Sequence, residues 1–269
     1  MQIMGLITAL PGAAAQGLIW GIMAIGVYIT FRILDIADLT VDGTLCTGGA
    51  VCIMMMLSGH NVWMSMLAAT GAGLLAGLAT GIFHTFMGIP AILAGILTQL
   101  SLYSVNLKIM GKANQAINVD KYNLLVSLRR VKGVTLTQNT LFIVAIMILL
   151  LIAVLYWFFG TELGCSLRAT GCNPSMSRAQ GINTDFNKVL GLMLSNGLVA
   201  LSGALLTQYQ GFADINMGRG SIVIGLAAVI IGEAIFSRIF RNFALKLLSV
   251  VFGSILYYLV LQVVIWMGI

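Results

Sequence analysis

The chain has 269 residues, 59% of them hydrophobic and only 8% charged, and its mean hydropathy is +1.03. Soluble domains carry roughly a quarter charged residues, so a soluble globular domain is excluded. The net charge of +6 does not argue for nucleic acid as a partner, because basic residues of membrane proteins flank helices and face headgroups or the cytoplasm.

Apolar runs of about 20 residues read as membrane-spanning helices, since a rise of ~1.5 Å per residue must cross ~30 Å of hydrocarbon. Barrel strands alternate polar and apolar residues, whereas these runs are apolar on every face. The fold class is therefore all-α: a polytopic integral membrane protein with about eight transmembrane helices, in one domain spanning 1–269. The first segment covers 12–33, opening after Pro11. Before it, "MQIMGLITALPGAAAQG" ends in small residues but lacks a basic n-region, and reads as uncleaved. The second segment, 43–58, is short and glycine-rich. The third (63–87) and fourth (89–107) are parted by Pro90, which breaks the helix. A polar stretch, 108–138, precedes the fifth (139–160), and another, 161–185, precedes the sixth (186–207). The seventh, 220–237, follows "GFADINMGRG" and reads as bent or re-entrant; the eighth covers 243–268.

Several residues stand out against this background. Asp35, Asp38 and Asp42 lie within eight positions, with spacings that share one face if the stretch is helical. Such crowding favours water access or a broken helix, and "VDGT" supplies a break: Asp42 suits a cap of the next helix and Gly43 relaxes the backbone. A broken helix at membrane depth is tolerated where it packs in protein or lines a cavity. Two readings stand. In one, Asp38, Thr40, Asp42 and Thr44 line a translocation path; in the other, the aspartates cap helices at a cytoplasmic junction and pair with Arg32. Glu233, a second intramembrane acid, is near enough in sequence to pair with Arg238. Gly73, Gly77 and Gly81 form a doubled GxxxG suited to close packing within the chain. The methionines, Met54–Met56 included, read as adaptable core, and most of Cys46, Cys52, Cys165 and Cys172 as buried thiols. His60 and His84 lack metal-ligand spacing.

The most specific stretch is "TELGCSLRATGCNPSMSRAQGINTD", 161–185. Asn173 suits a cap, Pro174 a first helical position and Gly181 the end of a turn, which predicts a helix of about two turns outside the bilayer. Ser175, Ser177, Arg178 and Gln180 would then be available to a partner. A plain surface loop fits the same residues.

This stretch resembles the cytoplasmic coupling loop of ABC importer permeases in the branched-chain amino acid and ribose permease superfamily, T-x-L-G-x-x-x-R-A-x-G-x-N-x-x-x-A-x-x-x-G-I. The matching positions are Thr161, Leu163, Gly164, Arg168, Ala169, Gly171, Asn173, Ala179, Gly181 and Ile182, with a shorter step from Ala179 to Gly181 than the family's. "LGLMLSNGLVALSGALL" and "INMGRGSIVIGLAAVIIGE" resemble the family's following helix and outer gating segment. "DLTVDGT" is similar to the single-permease systems grouped with tryptophan and tyrosine uptake, where branched-chain permeases carry an Asn-Phe-Ala-His-Gly type of stretch.

The resemblance implies a permease subunit that imports a small polar solute, with amino acids favoured and aromatic ones among them, by alternating access across the bacterial cytoplasmic membrane. It implies coupling to the ATPase through Arg168, Asn173, Pro174, Ser175, Ser177, Arg178, Ala179 and Gly181. It further implies two cytoplasmic ATPase subunits, an external substrate-binding protein, a second copy of the chain, and lipid contact, with no cofactor or metal of its own. "MGKAN" at 110–114 lacks the upstream glycine and hydroxyl of a phosphate-binding loop, so ATP belongs to the partner. With no bond made or broken here, the chain is not expected to be an enzyme. Basic residues divide seven to each side if the segments alternate, so charge does not orient the chain. The alternative is a proton-coupled secondary transporter using Asp38, Asp42 or Glu233. An intramembrane enzyme is a more distant rival, for which the scattered histidines and cysteines supply no constellation.

Overall fold

The computed structural model describes residues 2–117, 122, 124–128, 139–236, 240 and 242–267. The apolar segments are all present as helices. Six are long and apolar enough to cross a membrane: α1 (Gln2–Tyr28, extended by one π-helical turn to Ile33), α3 (Val62–Thr85), α4 (Ala91–Met110), α5 (Thr140–Gly160), α8 (Thr184–Gln210) and α10 (Phe243–Met267). Two are shorter, α2 (Val41–Leu57) and α9 (Ser221–Phe236). Their 17 and 16 residues reach only about 25 Å, less than the hydrocarbon core. The first segment departs from expectation, since α1 runs through Pro11 rather than opening after it.

At the centre, α8 packs against α1, α2 and α3, while α9 and α10 close the far side of α1. Small residues set these approaches. A Cβ added to Gly73 or Gly77 would strike the backbone of Asn196 or Leu192, and one at Gly81 would reach Val189. The doubled GxxxG is thus an intrachain seam between α3 and α8. Hydrogen bonds tie α1 to the same neighbour at successive levels: Ser195 Oγ to Gly26 O, Ser202 Oγ to Ile19 O and Tyr209 Oη to Gly12 O. The two helices therefore run antiparallel. Around the outside, α5 leaves Phe142, Ile146, Leu149, Leu150 and Val154 exposed, a belt suited to lipid. The chain is an all-α, multi-pass protein of the cell membrane.

The bundle has two distinct ends. At one, a short antiparallel pair, β1 (Asn114–Ala116) with β2 (Phe212–Asp214), covers the close of α4 and α8. At the other lie α6 (Glu162–Cys172) and α7 (Pro174–Ala179). Sequence reading gave the first part of 161–185 no helix. Thr161 accepts from Gly164 N and starts α6, and Leu167 is buried beneath it. Cys46 and Cys52 are buried, but Cys165 and Cys172 are exposed, against the expectation of mostly buried thiols.

Candidate functional site

The three aspartates do not share a helical face, because the chain is not helical between Leu34 and Thr40. After the π turn, in which Leu34 N donates to Ile29 O, Asp35 takes a left-handed conformation with φ 57°. The backbone then turns back into the bundle. Leu34 lies against Gly191, and Gly95 of α4 is close enough to Leu39 that a Cβ there would approach its amide to 2.8 Å. By the level of Asn196, near the midpoint of α8, the returning strand reaches the start of α2.

Asp38 is only 2% exposed. Its Oδ1 accepts from Thr40 N at 2.9 Å and its Oδ2 from Asn196 Nδ2 at 2.7 Å. Thr44 Oγ lies 2.7 Å from Asn196 Oδ1 and 3.0 Å from Thr40 O. Thr40 Oγ meets Thr80 Oγ at 2.7 Å, which in turn donates to Thr98 Oγ at 2.9 Å. Every member of this network is buried. Asp38, Thr40 and Thr44 thus form a buried polar plug joining α2, α3, α4 and α8. In a low-dielectric interior a network with its members satisfied fixes one arrangement, and losing a member is costly.

Asp42 serves a different helix from the one expected. It sits in the first turn of α2 and caps α9, accepting from Gly220 N (2.9 Å), Ser221 Oγ (2.8 Å) and Ile222 N (3.0 Å). The orphan amides of a helix start are closed by a carboxylate from 178 to 180 residues away. The N-termini of two short helices therefore meet inside the bundle. Of the four expected path residues, Asp42 borders a cavity of about 340 Å³, also lined by Gln99, Tyr103, Asn106, Ile215 and Arg219.

The expected pairing of Arg32 with the aspartates is replaced by another. Arg32 Nε meets Glu233 Oε1 at 3.0 Å, tying the end of α1 to α9. It pairs with none of the aspartates, and Arg238 lies outside the described residues, as do the basic residues Lys121, Arg129, Arg130 and Lys132. Among the described residues no group of three His, Cys, Asp or Glu could hold a metal ion.

At the α7 end the capping expectation is met in detail. Asn173 Oδ1 accepts from Met176 N at 3.0 Å, Pro174 opens the helix, and Gly181 at φ 81° ends it. Ile182 N closes the turn on Ser177 O, a Schellman-type stop. Pro174, Ser175, Met176, Arg178 and Ala179 are exposed. Ser177 is not: it is 4% exposed and donates to Asn173 O, so it is not available to a partner. Arg178 is engaged with α8, donating to Thr184 Oγ at 2.7 Å and Asp185 Oδ1 at 3.0 Å. Arg168 donates to Phe159 O and lies over the Phe243 ring, which anchors α6 to α5 and α10. Two further links escaped sequence reading. Asn187 Nδ2 donates to Thr170 Oγ, and Gly171 touches the backbone at Ile33, where the chain leaves α1. Asn196 was also missed, although an Asn in the middle of an apolar helix is itself a signal.

Comparison with known proteins agrees with this architecture. Residues 10–269 match the family described as branched-chain amino acid transport system / permease component. A tyrosine transport system permease protein of Clostridioides difficile is 39% identical over 242 residues, 90% of this chain and 78% of the relative. An uncharacterized protein of Rickettsia prowazekii is 38% identical over 98% of this chain and 90% of its own length. An autoinducer 2 import system permease protein of Yersinia pestis is 30% identical over 82% of this chain and 60% of the relative. On the extent of the family match and the two longer alignments, this chain belongs to the permease family of branched-chain amino acid transport systems.

Proposed function

We propose that this ABC importer permease carries an amino acid, of aromatic type, inward by alternating access when a partner hydrolyses ATP. The substrate class is suggested by the tyrosine transport permease among its relatives. In this reading two copies of the chain enclose the path, two ATPase subunits dock on the α6–α7 end from the cytoplasm, and a substrate-binding protein delivers to the strand-pair end.

The observation that carries the coupling part is α7 itself. It is a short helix closed at both ends by its own residues, yet Ser175, Met176 and Arg178 face outward. Its mechanical links lead to the plug. Arg178 joins α7 to the start of α8, and α8 holds Asp38 through Asn196. A second route runs from α6 through Gly171 to Ile33, where the returning segment begins. A push on α7 therefore reaches the plug from both sides, and opening it requires Asp38 and Asn196 to part.

The proton-carrier alternative draws no support from the geometry, because Asp38, Asp42 and Glu233 are each bonded to donors of the same chain. The test is to purify the chain from native membranes and identify what accompanies it, in parallel with Met176→Glu and Arg178→Glu. Recovery of an ATPase with the native chain and its loss with the variants is the expected result. A chain that arrives alone and still sustains uptake overturns the reading.

A further inference from the structure

The cavity of about 340 Å³ between α2, α4 and the turn 215–219 has a feature that internal packing does not account for. Asn106 is 1% exposed, and its Oδ1 has no hydrogen-bond partner. The orientation of the amide is fixed by its neighbour: Gly43 O can only accept, so Nδ2 faces it, at 3.4 Å. Oδ1 is left as a buried acceptor without a donor. Such an atom costs free energy, and native proteins keep few of them.

The rest of the lining is complementary to one kind of molecule. Arg219 is exposed, with its guanidinium 5.9 Å from the centre of the Tyr103 ring, and no carboxylate pairs with it among the described residues. It offers paired donors to a carboxylate. Leu100, Tyr103 and Ile215 supply apolar and aromatic surface, and Gln99 a further amide. Asp42, though already holding the start of α9, adds negative charge to the same lining. The volume falls within the range of about 300–1,000 Å³ that small-ligand sites occupy.

We infer that this cavity is a transient binding site for a zwitterionic α-amino acid with an aromatic or apolar side chain, in which Asn106 Oδ1 accepts from the ammonium group, Arg219 holds the carboxylate, and Tyr103 with Leu100 and Ile215 receives the side chain. The inference rests on the importer reading and deepens it. The cavity adjoins the start of α2, with Asp42 and Gly43 in its wall and the Thr40–Asp38–Asn196 plug next along the chain. It lies on the strand-pair side of the plug, where an incoming solute would pause before the plug opens.

The experiment measures equilibrium binding of radiolabelled L-tyrosine to the purified full chain in lipid nanodiscs, with tyramine and 3-(4-hydroxyphenyl)propionate as competitors lacking one charged group each. Saturable binding is expected, and Asn106→Leu and Arg219→Ala should each weaken it about tenfold or more. Both truncated competitors should displace tyrosine poorly. Asn106→Leu removes the orphan acceptor, so its melting temperature should hold, and exposed Arg219 tests the same site without touching the packed interior. No saturable binding at millimolar tyrosine, or equal affinity in both variants, overturns the site. Copurified ATPase without tyrosine binding would refute the site and spare the importer reading; binding without any ATPase would do the reverse.

Discussion

Among the helix starts closed by a side-chain oxygen, those of α9 and α7 are built for opposite ends. At α9 the closing group is Asp42, brought from the other end of the sequence, and its three donors run from exposed Gly220 to buried Ser221. At α7 it is Asn173, the residue immediately before the helix, and the helix it closes stands exposed. The first arrangement seals two helix starts to each other across the chain. The second leaves a finished helix with Ser175 and Met176 facing outward. The same capping chemistry is long-range and structural in one place, and local in the other, where it presents a surface.

Substitutions can break this comparison. Asp42→Ala strips the acceptor from three donors at once, and a loss of about 3 kcal/mol is expected in unfolding of the detergent-solubilised chain. Asp42→Asn, which keeps one acceptor oxygen, should lose less; an unchanged transition in Asp42→Ala would mean that water reaches the junction. Asp38→Ala leaves Thr40 N and Asn196 Nδ2 without their acceptor and should cost roughly 2–3 kcal/mol by the same measurement. Asn173→Ala removes a local cap worth ~1 kcal/mol, so hydrogen exchange should quicken at the Met176 amide while the global transition stays in place. Arg178→Ala breaks an exposed pair, whose stability contribution is under about 1 kcal/mol, yet ATP-dependent uptake should fall sharply. A destabilisation by Arg178→Ala as large as that of Asp42→Ala would erase the distinction between sealing and presenting ends.

Much of the architecture was legible because bilayer thickness is a strict ruler. Apart from the start of α1, the helices begin and end within a few residues of the apolar runs, and Pro90 and Gly181 stop the chain where their backbones require it. The Asn173–Pro174 start of α7 was equally plain, since local capping needs no knowledge of distant chain. What stayed hidden was long-range. Nothing near Asp42 in sequence announces Gly220, and nothing near Asp38 announces Asn196. The regular spacing of the three aspartates even suggested a shared helical face that the returning segment abolishes. Asn106 and Arg219 lie more than a hundred residues apart and converge only because α4 and the 215–219 turn both flank α2. The polar character of 161–172 concealed α6, which is held by Thr161 and Leu167 rather than by an apolar stripe.

The distant cap of α9 also has a bearing on how the chain is made. A ribosome delivers Asp42 to the membrane long before Gly220, Ser221 and Ile222 exist. During that interval the carboxylate lacks the three donors that hold it in the finished protein. When α9 arrives, its bare amides find the carboxylate already in place. Assembly thus has an order: the contact between α2 and α9 closes only when the last fifth of the chain arrives, and a nascent chain halted before residue 220 leaves Asp42 without these partners.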